Sequence, residues 1–421
     1  MEKFIIHGGN PLVGTIEISG MKNAALPILM GCVLVKGECI IENLPEIQDV
    51  TVSLRILKEM GASVRMIDRN TAAIDATGVQ CGTSPLDLVN TIRASYYLLG
   101  AELGRFGKTR VGCPGGCDFG RRPIDQHLQG FKALGADCDV VGGYVEGQSE
   151  GGLVGAQIFF DLVSVGATIN VMLAASLAKG LTVIENAAKE PHVVDLANFL
   201  NACGADIKGA GTDTIRISGV EQLRGCTYAI IPDMIEAGTY MIAAAATEGD
   251  LTITNVIPKH LDCVSAKMRE MGITVEEGDD FVRVYHKGEM QAVNVKTQPY
   301  PGYPTDMQPQ ISILMCLAKG TSILKEDVFD SRFRYIDELF RMGANVRVDG
   351  KVATIEGGKL SAAKVRAVDL RAGAAMVIAG LAVEGCTEVE NIRLIERGYD
   401  HIIEKLQAVG ADIQRVECAD I

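Results

Sequence analysis

The residue with the most chemistry to offer is Cys117, in the segment VGCPGGCDFGRRPID (111–125). Pro114, Gly115, Gly116 and Gly120 make this segment a loop, and Arg121, Arg122 and a helix start follow directly. Nearby cations and a helix N-terminus both lower a thiol pKa and enrich the thiolate. A loop cysteine so placed serves as nucleophile or proton donor. The other reading is one more buried thiol, which is how the remaining eleven cysteines read. Cys113 has no histidine beside it and Cys117 to complete a ligand set, so no metal is expected.

Asp306 lies in YPGYPTDMQPQ (300–310), a proline-rich loop before an apolar helix. It reads either as the helix N-cap or as a general base for a hydroxyl, and the sequence leaves both open. Around these two residues, cations recur where helices are expected to begin. Lys22 and Asn23 precede a helix starting near Ala24, and Arg93 opens RASYYLLGAEL. Arg121 and Arg122 precede Pro123, while Arg332 and Arg334 follow the cap candidates Asp330 and Ser331. Arg371 follows the cap candidate Asp369, and Arg397 is expected to open the helix running through Tyr399 to Val409. A cation at that end opposes the helix dipole. Together with free backbone N–H groups it makes an anion site. Any one of these is ordinary surface charge. Their recurrence predicts a cationic cleft for a phosphorylated, carboxylated ligand. His127 either faces that ligand or is a structural histidine. Neither a phosphate-binding G-x-x-x-x-G-K-[ST] loop nor a dinucleotide fingerprint is present.

The elements that must position these residues come from a repeat. Six helices end in a stop of the type LKEMGA, at Gly61, Gly135, Gly204, Gly272, Gly343 and Gly410, spaced 67 to 74 residues apart. A second register of helix-ending glycines runs through Gly37, Gly107, Gly180, Gly249, Gly320 and Gly385. Glycine closes a helix by taking the left-handed conformation. Strand-like segments such as ECIIENL (38–44) and LTVIENA (181–187) follow the second register. Each unit therefore reads strand, helix, strand, helix and a hairpin-like pair. Helices such as TINVMLAASLA (168–178) are apolar on every side, so one helix per unit belongs inside with sheets around it. The midpoint near Tyr228–Asp233 predicts a division into three units and three. The first twenty or so residues read as strands, which could return to complete the last unit.

Composition limits the reading. The 421 residues carry a net charge of −13, which excludes a basic nucleic-acid binder as the default. Trp is absent and aromatics are 5%, so base-stacking platforms are not expected. Hydrophobic residues are 48% and mean hydropathy is +0.19, as in a globular chain. The longest apolar run, Ala372 to Val383, is too short for a membrane span. The scattered cysteines and the absence of a leader-like start predict a cytoplasmic protein without disulfides.

The quoted segments resemble the UDP-N-acetylglucosamine 1-carboxyvinyltransferase family. The likeness runs through ISGMKNAALPIL (18–29), RAS (93–95), PGGCDFGRRPID (114–125), DLVSVGAT (161–168) and IENAAKEP (184–191). It continues in PTDMQ (304–308), RFRYIDELFRMGA (332–344), DLRAGA (369–374) and ERGYDHI (396–402). The resemblance implies an α/β fold, the inside-out α/β barrel, with two domains each of three βαβαββ repeats around buried helices. Residues 22–231 would form the first domain, with the PGGC loop as a lid. Residues 1–21 plus 232–421 would form the second, and the active site would lie in the cleft between the two.

The same resemblance implies transfer of the enolpyruvyl group of phosphoenolpyruvate to the sugar 3′-hydroxyl of UDP-N-acetylglucosamine, through a tetrahedral ketal, with release of phosphate. That is the first committed step of peptidoglycan precursor synthesis. Asp306 matches the base, Cys117 the proton donor and fosfomycin-reactive thiol, and Lys22 a third catalytic residue. Lys22, Asn23, Arg122, Arg332, Arg371 and Arg397 match the phosphoenolpyruvate site. Asn23, Arg93, Arg122, Pro123, Ile124, Asp125, Gln126, Ser164, Val165, Asp306 and Val328 match the UDP-sugar site. No cofactor, nucleic acid or membrane is implied, and a monomer is expected. Leu162, Met234 and Tyr97 depart from the Lys, Arg and Trp of some relatives. The sister enzyme 5-enolpyruvylshikimate-3-phosphate synthase is disfavoured because its Asn-Ala-Gly-Thr segment is missing. A non-catalytic UDP-sugar sensor is disfavoured by the intact Lys22, Cys117 and Asp306.

Overall fold

The computed structural model describes residues 2–113 and 124–417. Within them the repeat is a βαβαββ unit. In the third copy, strand Gln157–Phe159 leads to helix Val165–Ala175, strand Leu181–Glu185, helix Pro191–Ala202 and the pair Asp206–Lys208 and Thr214–Ser218. The two strands flanking the first helix run parallel, and the remaining pairings are antiparallel. The fifth copy repeats this sheet order from Asn294–Lys296 to Val352–Glu356.

The described residues form two compact units. One holds those between Gly20 and Ile231, and the other those up to Ser19 together with Pro232 onward. Gly20 and Met21 fall with the residues that follow them because the Met21 N–H donates to the Ile231 carbonyl at 2.7 Å. Three copies are closed by strands from distant sequence. Thr227–Ala229 adds a parallel strand to Glu38–Glu42, and Val13–Glu17 does the same for Asp250–Thr254. Glu2–Gly8 lies antiparallel between Gly385–Glu390 and Asp412–Glu417, the place of the closing strand in the sixth copy. The second copy is the exception, with a three-stranded sheet, Lys108–Gly112, Tyr144–Gln148 and Asp137–Val141.

Local sequence explains these elements. The second strand of each copy alternates buried and open positions, as in Glu38–Glu42 and Thr321–Lys325. One face therefore meets the core. The helix that precedes this strand is absorbed whole. Every residue of Met234–Ala246 is buried, as are Leu370–Leu381 of the helix Leu370–Ala382. These two pack on each other and on Gln308–Leu317. In the other unit Lys22–Gly31, Tyr97–Phe106 and Val165–Ala175 form the corresponding interior set. Outer helices such as Gln48–Glu59 and Asp262–Glu270 bury only one face.

The first glycine register is left-handed at all six positions, with φ between 85° and 108°. The second differs at one. Gly249 does not take a positive φ, and Glu248 makes the turn instead at φ 51°. Gly249 is required there for a different reason, since a Cβ would lie 2.2 Å from the Leu12 carbonyl oxygen.

An asparagine at the end of the second strand supplies another recurring device. Asn43, Asn186, Asn255 and Asn391 all take the left-handed conformation. Their side-chain amides donate to the carbonyls of Ile230, Phe160, Ile18 and Ala367, each just past the first strand of its copy. Asparagine tolerates this backbone while its side chain bonds the neighbouring chain end.

Candidate active site

In the unit from Pro232 onward, Asp306 sits inside the short 3-10 turn Thr305–Met307. The N-cap position of the helix that follows, Gln308–Leu317, falls on Met307. The Asp306 carboxylate faces two arginines instead. Arg371 Nε donates to its Oδ2 at 3.2 Å, and Arg332 Nη2 lies 3.6 Å from its Oδ1. Both guanidiniums are almost completely buried, at 3% and 1% side-chain exposure, while Asp306 keeps 30%.

Arg371 stands at the start of the interior helix Leu370–Ala382, as its sequence predicts. Asp369 is the N-cap, and its Oδ1 accepts the N–H groups of Arg371 and Ala372 at 2.8 and 2.9 Å. Burial opposes the Arg371 charge. The neighbouring Tyr399, Asp306 and Asp233 outweigh it, and the pKa rises.

One expectation about the cations needs correction. Arg397 does not open a helix. It is the C-cap of the short helix Arg393–Glu396, and the next helix, Ile402–Ala408, starts after His401. Arg397 thus sits at the negative end of its helix, where a cation is favourable. Its place is set by a one-turn helix that the continuous pattern from Arg397 to Val409 conceals. Ser331 is the N-cap of the 3-10 turn Arg332–Tyr335 but makes no side-chain capping bond. Val328 is exposed, and its N–H donates to Glu326 Oε1 at 2.9 Å.

In the unit from Gly20 to Ile231, Lys22 and Asn23 are the first two residues of the interior helix Lys22–Gly31. Lys22 Nζ lies 3.0 Å from Asp49 Oδ2, which comes from the first turn of the outer helix Gln48–Glu59 and is 3% exposed. Arg93 opens the turn Arg93–Tyr96, which packs against that interior helix. Burial lowers the Arg93 pKa. Asp125 and Gln126 begin the helix Asp125–Ala133, with Ile124 as its N-cap. Gln126 Oε1 is buried without a hydrogen-bond partner. Ser164 caps the interior helix Val165–Ala175, accepting from the Ala167 N–H at 3.3 Å. Cys117, Arg121, Arg122 and Pro123 lie outside the described residues.

His127 is a structural histidine. It is 5% exposed, and its Nδ1 is 2.9 Å from Asn170 Nδ2. Asn170 Oδ1 accepts the Gly100 N–H at 2.9 Å. The asparagine therefore donates to the imidazole, whose Nδ1 is the acceptor of a neutral ring. Burial, with the Arg93 charge second, pushes the His127 pKa down to about 4.

Sequence reasoning missed two buried carboxylates that anchor the segments running between the units. Glu236 Oε2 accepts the Ser19 N–H at 2.9 Å, and its Oε1 accepts from Lys405 at 2.6 Å. Asp195 takes the Tyr228 hydroxyl at 2.5 Å and the Ile231 N–H at 3.3 Å. Burial pushes Glu236 up to about 7 and Asp195 up to about 6. Neither shows a local motif, because each partner is distant in sequence. Among the described residues, no group of acidic, histidine and cysteine side chains has the geometry of a metal site. No described helix is long and apolar enough to cross a membrane.

Comparison with known proteins adds the following. The family model described as EPSP synthase (3-phosphoshikimate 1-carboxyvinyltransferase) matches residues 6–406. A protein named UDP-N-acetylglucosamine 1-carboxyvinyltransferase 3, from Caldanaerobacter subterraneus subsp. tengcongensis, is 54% identical over 417 residues, covering 99% of this chain and 100% of its own. One named UDP-N-acetylglucosamine 1-carboxyvinyltransferase from Clostridium botulinum is 55% identical over 418 residues, with 99% and 100% covered. Among solved structures, the enolpyruvyl transferase NikO from Streptomyces tendae superposes with a TM-score of 0.89 at 27% identity, covering 99% of each chain. An EPSP synthase from Acinetobacter baumannii shares the fold, with a TM-score of 0.77 at 20% identity and 99% and 100% of the chains covered.

Proposed function

We propose, for a chain that belongs to the UDP-N-acetylglucosamine 1-carboxyvinyltransferase family, that it transfers the enolpyruvyl group of phosphoenolpyruvate to the 3′-hydroxyl of UDP-N-acetylglucosamine and releases phosphate. The observation that carries this reading is the Asp306–Arg371–Arg332 cluster, in a chain alike its relatives from end to end.

Asp306 takes the proton of the sugar 3′-hydroxyl. The oxygen then bonds to the central carbon of phosphoenolpyruvate. Cys117 gives its proton to the methylene carbon, which becomes a methyl group, and a tetrahedral ketal results. Loss of a methyl proton and cleavage of the bond to the phosphate oxygen restore the double bond and release phosphate. Each step builds or moves charge, and fixed guanidinium groups stabilise such charge without reorganising.

Arg332, Arg371 and Arg397 in one unit, with Lys22, Asn23 and Arg122 in the other, hold the phosphate and carboxylate of the donor. Several N–H groups at once are what such a dianionic ligand needs. Asn23, Arg93, Arg122 to Gln126, Ser164, Val165, Asp306 and Val328 contact the UDP-sugar. Gln126 Oε1, buried and without a protein partner, suits a ligand N–H. The product feeds peptidoglycan precursor synthesis, the protein acts in the cytoplasm as a monomer, and fosfomycin alkylates Cys117.

The test is phosphate release from phosphoenolpyruvate by purified protein, with UDP-N-acetylglucosamine, with shikimate 3-phosphate, or with neither. Release that requires the UDP-sugar and stops after fosfomycin treatment is expected. Release with shikimate 3-phosphate alone would transfer the assignment to the sister reaction. Binding of the UDP-sugar without any release would leave a sensor.

A further inference from the structure

We propose that Tyr399 is a positioning residue for Arg371, held in one orientation by a one-way hydrogen-bond chain that ends on an interior helix. The inference rests on the reading above, in which Arg371 binds the phosphoenolpyruvate anion.

Tyr399 is 2% exposed, and the Arg371 guanidinium carbon lies 5.2 Å from its ring centroid. The Tyr399 hydroxyl is 2.9 Å from Thr239 Oγ1. The Thr239 hydroxyl has one proton and spends it on the Ile235 carbonyl at 2.7 Å. Tyr399 must therefore donate to Thr239. Gln310 Nε2, a donor, reaches Thr239 Oγ1 at 3.2 Å and the Tyr399 oxygen at 3.3 Å. The direction of the Tyr399–Thr239 bond is thus fixed. Burial keeps the phenol neutral by raising its pKa.

The geometry has a consequence for the arginine. Thr239, Gln310 and Arg371 come from the three interior helices Met234–Ala246, Gln308–Leu317 and Leu370–Ala382. A ring tied to the first two cannot tilt without breaking a buried hydrogen bond, so the platform under the third is rigid. On it, Arg371 directs Nε to Asp306, while its Nη1 has no protein partner. A guanidinium held against a locked ring gives up little freedom when it binds an anion. Tyr399 thereby sets the angle at which Arg371 offers its uncommitted Nη1.

The test compares four single variants and one double, reading kcat and KM for each substrate. Tyr399→Leu removes the ring and is expected to raise KM for phosphoenolpyruvate about tenfold or more. Its KM for UDP-N-acetylglucosamine should stay within about twofold. Tyr399→Phe keeps the ring and loses the tie, and Thr239→Val loses the acceptor. Each is expected to raise KM for phosphoenolpyruvate about three- to fivefold. The double variant should be no worse than the poorer single, because both cut the same chain. Thr239→Ser should restore wild-type values. Should Tyr399→Leu not fold, the two milder variants and their double carry the test.

Unchanged KM for phosphoenolpyruvate in the folded Tyr399 variants would overturn the proposal. Additive losses that raise both KM values alike would also overturn it, because they describe a structural residue only. Wild-type protein inactive with the UDP-sugar would sink the reading of function instead. The inference is then decided by affinity for inorganic phosphate, which Tyr399→Leu is expected to weaken and which must not stay the same.

Discussion

In the unit from Pro232 onward, the charged groups of the candidate site are tied to one another: Asp306 lies between Arg371 and Arg332, both almost fully buried. In the unit from Gly20 to Ile231, Lys22 is tied instead to Asp49, on the outer helix beside it. The interior helices differ in the same sense. One set is bridged by Thr239, Gln310 and Tyr399, which reach Arg371. The other is bridged by Asn170, between Gly100 and the neutral His127. Two units of one plan have thus put their buried polarity to different uses. The unit from Pro232 onward gathers it around the carboxylate proposed to react, and the other uses it to hold helices together.

Exchanging charge for a neutral isostere tests this contrast most severely. Asp306→Asn keeps the shape and loses the proposed base, and kcat for phosphate release is expected to fall about 10²- to 10⁴-fold. Asp49→Asn should act mainly on stability. It breaks a buried ion pair and is expected to cost roughly 3 kcal/mol in denaturant unfolding, with a smaller loss of turnover than Asp306→Asn. Equal loss of turnover in the two variants, with Asp49→Asn fully folded, would break the comparison.

The contrast was only partly legible in the sequence. Glycine spacing and all-round apolar helices exposed the repeat and the interior elements, because both are local consequences of backbone conformation and burial. Asp369 and Arg371 were legible for the same reason, since a cap and its helix are adjacent. Arg397 was misread because a four-residue helix leaves too short a pattern to separate from the next. Asp49 opposite Lys22, or Tyr399 opposite Thr239, are meetings of residues far apart in the chain, and no local pattern records them. The asparagines Asn43, Asn186, Asn255 and Asn391 were a missed local signal. Their spacing follows the repeat, and each ends a strand.

Acidity provides a finer distinction between the units. His127 has its folded pKa pushed from the ordinary 6.5 down to about 4. The unfolded chain takes up the proton first, so this group's stabilisation is present above pH 6.5 and is lost as pH falls towards 4. Glu236 is the reverse. Its pKa rises from 4.5 to about 7, so its contribution is present below pH 4.5 and is lost as pH rises towards 7. Relative to His127→Asn, wild-type protein should lose about 2 kcal/mol on going from pH 7 to pH 5. Relative to Glu236→Gln, it should gain about 2 kcal/mol over the same change. Unfolding measured by denaturant across that range reads both slopes, and slopes of the same sign would remove the distinction.

The smallest effect concerns the one copy in which the second glycine register is broken. At five of its positions a glycine makes the left-handed turn, but in the fourth copy Glu248 makes it, at φ 51°. A side chain in that conformation costs roughly 1–2 kcal/mol. Glycine would relieve this while adding about 0.4–1 kcal/mol of unfolded-state entropy. Glu248→Gly is therefore expected to stabilise the protein by about 0.5 kcal/mol, with kcat and both KM values unchanged. The neighbouring change Gly249→Ala should have the opposite sign and a larger size, because its Cβ would be driven to 2.2 Å from the Leu12 carbonyl oxygen. If both substitutions destabilise alike, Glu248 is held by something other than the turn, and the fourth copy closes its helix by a different rule from the other five.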